Sequence, residues 1–201
     1  MDLNSRASLL VGIVSDTHVP YRTAGLPPAV FDVLEDVDVI LHAGDVDRPE
    51  ALEPLRKIAP VYAVRGNVHI LDLSSGGASL PRLVQLRLAG CCVLVTHGYL
   101  PGLEGLWFKG RDIALRLLGG SDRAHFNKHV ARRLAALYPH AGVIVFGHTH
   151  RAYIEWVGDT LLVNPGAVCP TAREQPTVAR MTLDGGRPRV EVVPLVALTA
   201  R

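Results

Sequence analysis

The sequence predicts an α/β fold in which two β-sheets pack together and helices cover their outer faces. In the first half of the chain, apolar runs typical of buried strands alternate with helical patterns, which indicates a parallel sheet covered by helices. In the second half, strand-like runs follow one another through tight turns, which indicates hairpins. At 201 residues, the chain is predicted to form a single domain over residues 1–201.

The first half is predicted to run strand, helix, strand, helix, strand. The strands are the Val-, Leu- and Ile-rich runs LLVGIVSD, VDVILHAGDV and PVYAVRGN. The first helix, PPAVFDVLEDV, begins with prolines that suit a helix start. The second helix is predicted over RPEALEPLRKIA because Leu52, Leu55 and Ile58 recur at helical spacing.

The second half is predicted to consist mainly of hairpins. RLVQLRLAGCCVLVTHG turns at Ala89-Gly90, and RAYIEWVGDTLLVNPG turns at Gly158-Asp159. TVARMTLDGGRPRVEVVPL makes a third pair. A long connection, residues 99–140, precedes the buried strand GVIVF, and its later part predicts an amphipathic helix. The inward-facing residues of that helix are predicted to be Phe126, Val130, Leu134 and Leu137.

The earlier part of this connection is compatible with two roles, a pocket wall or a surface loop. It combines Trp107 with Lys109 and Arg111. Such an apolar and basic segment fits the wall of a pocket for a phosphate that bears an apolar group. A surface loop that packs its Trp onto the core fits equally well.

Composition limits the classes of function. An apolar fraction of 48% and a charged fraction of 20% are typical of soluble globular proteins. No apolar run reaches membrane-spanning length, and the N-terminal apolar run reads as a strand rather than a signal peptide. We therefore expect a cytoplasmic protein with no membrane partner and with reduced cysteines. A net charge of +2 is too small to indicate nucleic acid as a partner.

Six short polar motifs follow the predicted strands and carry the functional signal. Strand ends gather at one edge of a sheet, where open α/β proteins keep their binding sites. Two Asp, one Asn and four His would meet there, which is a ligand set large enough for two divalent metals. Asp-x-His, Gly-Asp and Gly-Asn are ordinary when each stands alone, whereas Gly147-His148-Thr149-His150 is a stronger signal, because two imidazoles on irregular backbone after a buried strand have little structural use. Together the motifs predict a dinuclear metallohydrolase. The motifs are Asp16-Thr17-His18, Gly44-Asp45, Gly66-Asn67, Thr96-His97-Gly98, Gly147-His148-Thr149-His150 and Asn164-Pro165-Gly166.

This motif series resembles the calcineurin-like metallophosphoesterase superfamily, and most closely its small YfcE-type phosphodiesterases. The resemblance spans the chain from Ile13 to the last strand pair, and Gly-His-Thr-His is its most characteristic motif. It implies a four-layer αββα sandwich, that is, two packed mixed β-sheets flanked by helices. It also implies metal ligands by motif: Asp16, His18 and His150 for one metal, Asp45 as a bridge, and Asn67, His97 and His148 for the other.

The activity that the resemblance implies is metal-dependent hydrolysis of phosphate esters, and of phosphodiesters in particular. Carboxylate and imidazole ligands suit Mn, with Fe, Zn and Ni as alternatives. A hydroxide bound by both metals would attack phosphorus in line, and Asn67 would help to stabilise the phosphoryl oxygens. We expect a small phosphate-ester substrate, and a homo-oligomer stays open. His42 is expected either to orient the ligands or to pack in the core.

One position departs from the superfamily pattern. Many members follow the motif Asn with a His that protonates the leaving oxygen, whereas this chain has Val68. The next residue, His69, has an imidazole whose ordinary pKa suits a general acid. We therefore name His69 with Asn67 as candidate catalytic residues; a solvated loop histidine is the alternative for His69.

Two other classes of function stay open. A Vps29-like protein shares this fold but is a non-catalytic scaffold with an incomplete metal site, whereas every ligand position is filled here. A nuclease-type phosphodiesterase carries additional domains and a basic DNA-binding surface, for which this chain is too short and too weakly charged. Phosphoester hydrolysis therefore ranks first.

Overall fold

A computed structural model describes residues 2–66, 79–98, 123–169 and 174–195. Ten strands in these ranges form two five-stranded sheets. The strands are β1 Leu9–Val14, β2 Val39–His42, β3 Val61–Ala63, β4 Leu83–Leu88, β5 Cys91–Thr96, β6 Val143–Val145, β7 Ala152–Val157, β8 Thr160–Pro165, β9 Thr177–Leu183 and β10 Arg189–Pro194.

Both sheets are mixed, and their strand pairings confirm the predicted pattern. The first sheet has the order β10-β9-β1-β2-β3, with β1, β2 and β3 parallel and β9 antiparallel to β1. The second has the order β4-β5-β6-β8-β7, with β5, β6 and β8 parallel. The hairpins β4-β5 and β7-β8 place antiparallel strands at its two edges. The three cysteines are free, as expected.

The structure contains the first and third predicted helices, but the second is interrupted. Helix α1 spans Pro28–Leu34, but the second predicted helix is a 3₁₀ turn, Pro49–Leu52, followed by a short α2, Glu53–Arg56. Pro54 has no backbone N–H to donate, so a continuous α-helix loses a hydrogen bond there. Helix α3 spans Arg123–Leu137.

The predicted inward stripe of α3 is wrong at its last residue. Val130 and Leu134 are buried, whereas Leu137 is 41% exposed. The buried stripe instead includes Ala131 and Ala135, so it rotates around the helix axis as 3.6 residues per turn requires. Leu137 is also the last residue of the helix, where the covered face has ended.

Three apolar clusters separate four layers, which confirms the αββα sandwich. The first cluster lies between the sheets and contains Ile13 and Val145 among others. The second lies beneath α1 and α2, where Leu34 and Leu55 meet Ile40 of the first sheet. The third lies beneath α3 and packs Leu134 against the outer face of the second sheet. Each strand of the two central layers is therefore covered on both faces where it runs parallel to its neighbours.

This arrangement gathers the strand ends that carry the motifs. Val14 pairs with His42 at the ends of β1 and β2, and Val95 pairs with Val145 near the ends of β5 and β6. Among the described residues, no helix is both long enough and apolar enough to cross a membrane.

Candidate metal centre

Four side chains from three strand ends converge on one point. They are Asp16 and His18 after β1, Asp45 after β2 and His150 after β6, and one ligand atom from each lies within 4.8 Å of all the others. His18 Nε2 is 3.5 Å from both Asp45 Oδ2 and His150 Nε2. His150 Nε2 is 3.2 Å from Asp16 Oδ1. Two carboxylates and two imidazoles at this spacing form a candidate site for a divalent cation.

The backbone that presents these side chains is strained. Asp16, His18, Asp45 and His150 have φ values of 52°, 50°, 55° and 60°, in the left-handed region that side chains with a Cβ seldom adopt. Such residues cost on the order of 1–3 kcal/mol each and cluster at functional sites. Backbone hydrogen bonds between the loops stabilise this strained conformation. Asp16 N donates to Gly44 O at 2.9 Å, and His18 N donates to Asp45 O at 3.0 Å.

Two further histidines extend the cluster on the opposite side of Asp45. His97 Nε2 lies 3.3 Å from Asp45 Oδ1, and the rings of His97 and His148 have centroids 5.2 Å apart. His97 Nδ1 donates to the carbonyl of Ala43 at 2.6 Å, which directs Nε2 toward Asp45. The two oxygens of Asp45 therefore face different histidines, Oδ2 toward His18 and Oδ1 toward His97.

Opposite charges in the cluster stabilise one another. Burial alone would lower the pKa of His97, but the neighbouring Asp45 carboxylate outweighs burial and raises that pKa to about 9. Burial would likewise raise the pKa of Asp16, but its contact with His150 and the charge of His97 hold that pKa below the ordinary value. The buried Asp16 carboxylate thus stays ionised and needs positive charge beside it. A divalent cation can supply that charge in place of the imidazole protons, because metal ligands bind deprotonated.

The hydrogen bonding of buried atoms gives an independent test of fit to a metal. Within the described residues, Asp16 Oδ1 and His150 Nδ1 have no hydrogen-bond partner. Asp16 Oδ1 is within ion-pair distance of His150 Nε2, but the contact lacks the alignment of a hydrogen bond. Buried polar atoms are costly without a partner. The unpartnered oxygen of Asp16 faces the other candidate ligands and so fits the role of a metal ligand. The ring nitrogen of His150 that faces Asp16 and His18 is Nε2 rather than the unpartnered Nδ1.

His42 joins the two ligand loops from beneath. It is fully buried, and burial lowers its pKa to about 4, so it is neutral. Its Nδ1 accepts from Gly44 N at 3.2 Å, which leaves the ring proton on Nε2 to donate to Thr17 Oγ1, also at 3.2 Å. Thr17 in turn donates to Asp45 O at 3.3 Å. His42 therefore orients the loops that carry Asp16, His18 and Asp45, rather than only filling the core.

Two motif glycines allow the loops to approach closely. A Cβ added to Gly66 would overlap Asp45 Oδ1 and its backbone N. A Cβ added to Gly147 would overlap Ser15 Oγ and lie 2.9 Å from Asp16 Oδ2. Neither position has room for a larger residue, so the glycines of these motifs serve the close packing of the candidate ligands.

Six of the seven predicted ligands thus come together: Asp16, His18, Asp45, His97, His148 and His150. The seventh, Asn67, lies outside the described residues, as do Val68, the candidate acid His69 and the segment from Trp107 to Arg111. The roles of all these residues stay predictions.

Two contributors were missed from the sequence. Asp47 has Oδ1 3.5 Å from His18 Nδ1, and its Oδ2 accepts from Tyr21 N at 3.4 Å. Asn127 of α3 hydrogen-bonds to Thr149. The available signals were an Asp two residues after Asp45, and a polar residue on the inward stripe of α3, three residues before Val130.

Comparison with known proteins finds similarity to phosphoesterases. The sequence model described as Calcineurin-like phosphoesterase superfamily domain matches residues 9–186. A probable metallophosphoesterase from Methanothermobacter thermautotrophicus is 32% identical over 185 residues, which cover 92% of each chain.

Solved structures show the same fold. A predicted phosphoesterase from Streptococcus pneumoniae TIGR4 superposes with a TM-score of 0.60 at 22% identity, covering 95% of this chain and 92% of its own. Vps29 from Chaetomium thermophilum superposes with a TM-score of 0.61 at 17% identity, covering 92% and 95% respectively. Phosphoesterases and Vps29 share this architecture, so the fold alone does not separate catalysis from scaffolding.

Proposed function

We propose that this chain, which belongs to the calcineurin-like phosphoesterase superfamily, is a two-metal phosphodiesterase that acts on small phosphate esters. The observation that carries the proposal is the placement of Asp45. Its Oδ2 is 3.5 Å from His18 and its Oδ1 is 3.3 Å from His97. A carboxylate that faces two imidazoles with its two oxygens is suited to be shared by two cations.

In the proposed centre, each cation has its own ligands besides Asp45. Asp16, His18 and His150 would hold one, and His97, His148 and Asn67 would hold the other. Mn is the proposed metal, with Fe, Zn and Ni as alternatives. When bound, the cations would acidify a water to make the nucleophile and would neutralise charge on the phosphoryl oxygens.

The protein's own residues prepare this chemistry. The Ala43 carbonyl fixes the ring of His97, and Asp47 lies where it can orient the ring of His18. Asp16 and His97 are fully buried, which excludes bulk water and strengthens the interactions between charges there. The ligands are thus held in place before substrate arrives, and little reorganisation is needed during the reaction.

The rim of the centre supports an anionic substrate of modest size. Arg22 and Arg48 are exposed there, and Arg22 N donates to His18 O at 2.9 Å. The guanidinium of Arg48 lies 5.8 Å from the ring centroid of Tyr21, whose side chain is 53% exposed. Positive charge beside a metal site attracts phosphate esters, and an exposed aromatic ring can contact an apolar ester group.

A non-catalytic scaffold is less well supported. A scaffold needs the fold but has no use for several strained residues that all carry metal-binding side chains. His148, with a φ of 74°, adds a fifth candidate ligand to the four already in the left-handed region. Strain of this kind is retained where the surrounding structure enforces a functional geometry.

Hydrolysis assays with defined metals test the proposal. Metal-free protein would be supplied with Mn²⁺, Fe²⁺, Zn²⁺ or Ni²⁺ and assayed with bis(p-nitrophenyl) phosphate, a diester, and p-nitrophenyl phosphate, a monoester. We expect metal-dependent hydrolysis with the diester preferred. Protein that binds metal but hydrolyses neither ester would support the scaffold instead, and a clear preference for the monoester would contradict the diesterase assignment.

A further inference from the structure

Helix α3 supplies a buried polar side chain to the turn that carries two candidate ligands. We call residues 147–150 the histidine turn. We propose that Asn127 is a positioning residue that holds the histidine turn in its metal-binding conformation. This inference rests on the proposed function, because it concerns how His148 and His150 are presented to metal.

Both the oxygen and the nitrogen of the Asn127 side-chain amide form hydrogen bonds at this turn. The side chain is only 2% exposed. Its Oδ1 accepts from Thr149 Oγ1 at 2.8 Å and from Asn164 Nδ2 at 3.4 Å. Its Nδ2 donates to the backbone carbonyl of Arg151 at 3.2 Å. Asn127 thus contacts the residue between the two histidines and the residue directly after them.

Asn164 completes the network from the other side. Its Nδ2 donates to Gly147 O at 3.0 Å and to Thr149 Oγ1 at 3.1 Å. Its Oδ1 accepts from Gly166 N at 2.9 Å. The histidine turn is therefore held between an amide from α3 and an amide from β8. A buried network of this kind fixes one geometry when all its members are satisfied.

The conformation of the turn explains why it needs to be held. His148 and His150 have φ values of 74° and 60°, with Thr149 between them. Two left-handed residues separated by one residue are unfavourable unless the surroundings impose them. If the hydrogen bonds of Asn127 are lost, the turn can relax toward ordinary backbone angles. That relaxation would move the imidazoles of both His148 and His150.

The residue beside Asn127 supports the same role for α3. The ring of Phe126 lies 5.9 Å from the ring of His148, centroid to centroid. Consecutive residues of the helix therefore touch a candidate ligand and the turn that carries it. The helix that follows the long connection after β5 thus does more than cover the second sheet.

Metal binding by matched variants tests the proposal. Asn127→Leu keeps similar volume without hydrogen bonds, and Asn127→Ala leaves a small void instead of a clash if the Leu variant does not fold. Thr160→Val is the control, because it removes another buried hydrogen bond, from Thr160 Oγ1 to Ala141 O at 2.8 Å, at the opposite end of β8 from Asn164. Circular dichroism and thermal unfolding in EDTA would establish the fold of each protein.

Two readouts separate positioning from general stability. Titration calorimetry would measure Mn²⁺ affinity, and the visible absorption of Co²⁺-loaded protein would report ligand geometry. We expect the Asn127 variants to lose about 10- to 100-fold in Mn²⁺ affinity, as is typical when a residue that orients ligands is removed. Their Co²⁺ spectrum should change, whereas Thr160→Val should keep parental affinity and spectrum even if it is less stable.

The outcomes distinguish this inference from the proposed function. Parental affinity and an unchanged Co²⁺ spectrum in a folded Asn127 variant would overturn the positioning role alone. An equal loss of affinity in Thr160→Val would assign the effect to stability and would also overturn it. If the parent itself binds no Mn²⁺ or Co²⁺, the proposed function fails and this inference fails with it.

Discussion

Gly66 lies so close to Asp45 that one added methyl group should dismantle the candidate centre. In Gly66→Ala, the new Cβ would overlap the Oδ1 and backbone N of Asp45 and lie 2.5 Å from its Cα. The φ of Gly66 is outside the left-handed region, so alanine suits the backbone there. The effect of the substitution is therefore steric and falls on the shared carboxylate.

The size of the effect follows from these distances. Ordinary contacts of a Cβ begin at 3.4 Å, so Asp45 Cα, now at 2.5 Å, must retreat by the difference of about 0.9 Å. Metal–ligand distances tolerate only about 0.2 Å, so the shared carboxylate would lose at least one cation. Overpacking typically costs about 1–3 kcal/mol. We expect the upper end of that range, because the clash is with backbone as well as with a side chain.

Gly25→Ala is a matched control for this experiment. A Cβ at Gly25 meets no atom within 4 Å, so alanine there should be neutral or stabilise by about 0.4–1 kcal/mol through the unfolded chain. Urea unfolding in EDTA would measure stability, and elemental analysis after Mn²⁺ loading would count metals. If Gly66→Ala binds as many metal ions as the parent, is equally stable and hydrolyses the diester equally fast, the steric reasoning is refuted.

The charge of Asp45, the apolar side chain of Val68 and the neutral ring of His42 each allow a further test. Asp45→Asn should lose metal and slow diester hydrolysis by about 10²–10³-fold or more. The control Asp159→Asn, in an exposed turn, should keep the parent's metal content and rate. Activity of Asp45→Asn within about tenfold of the parent would exclude a bridging role for Asp45. With Val68 beside Asn67 the rate should fall steeply as the leaving group becomes more basic, and Val68→His should help alkyl diesters by up to about 10²–10⁴-fold while hardly affecting p-nitrophenyl esters. A shallow dependence in both the parent and His69→Ala, with chemistry rate-limiting, would contradict this. His42 has its pKa lowered from 6.5 to about 4, so its contribution to stability is complete above pH 6.5 and is lost as the pH falls toward 4, because the unfolded chain takes up the proton first. At 1.36 kcal/mol per pKa unit, the loss is about 3 kcal/mol. The free energy of unfolding, measured in urea and EDTA, should therefore fall between pH 6.5 and 4 by about 3 kcal/mol more in the parent than in His42→Gln. Equal pH dependence in the two proteins would show that His42 is not buried as a neutral ring.

The fold was predictable because its strongest signals are local. Runs such as LLVGIV and GVIVF bury both faces, and the turns at Ala89-Gly90 and Gly158-Asp159 join neighbouring strands. The secondary-structure and burial predictions were wrong where a single residue departs from the periodic pattern of apolar residues around it. Pro54 interrupts a helix that the spacing of apolar residues favours, and Leu137 stands at the end of α3, where an apolar side chain is left outside the covered stripe.

The candidate site was predictable wherever a motif directly follows a strand. Asp16, Asp45 and His150 are placed by the ends of β1, β2 and β6, and strand ends meet by topology. The role of Asn127 was not predictable, because its partner Thr149 is 22 residues away and reached only through packing of α3. The raised pKa of His97 likewise depends on its distance from Asp45 and on burial, which no sequence pattern contains.

The number and position of bound metals test the central claim most directly. Metal-free protein would be loaded with Mn²⁺, its metal content measured, and crystals examined for anomalous scattering at the manganese edge. A two-metal centre requires two Mn²⁺ ions per chain on opposite sides of Asp45, one contacting Asp16, His18 and His150 and the other contacting His97 and His148. A well-ordered structure from this protein with no metal, or with a single ion that Asp45 does not contact, would contradict it.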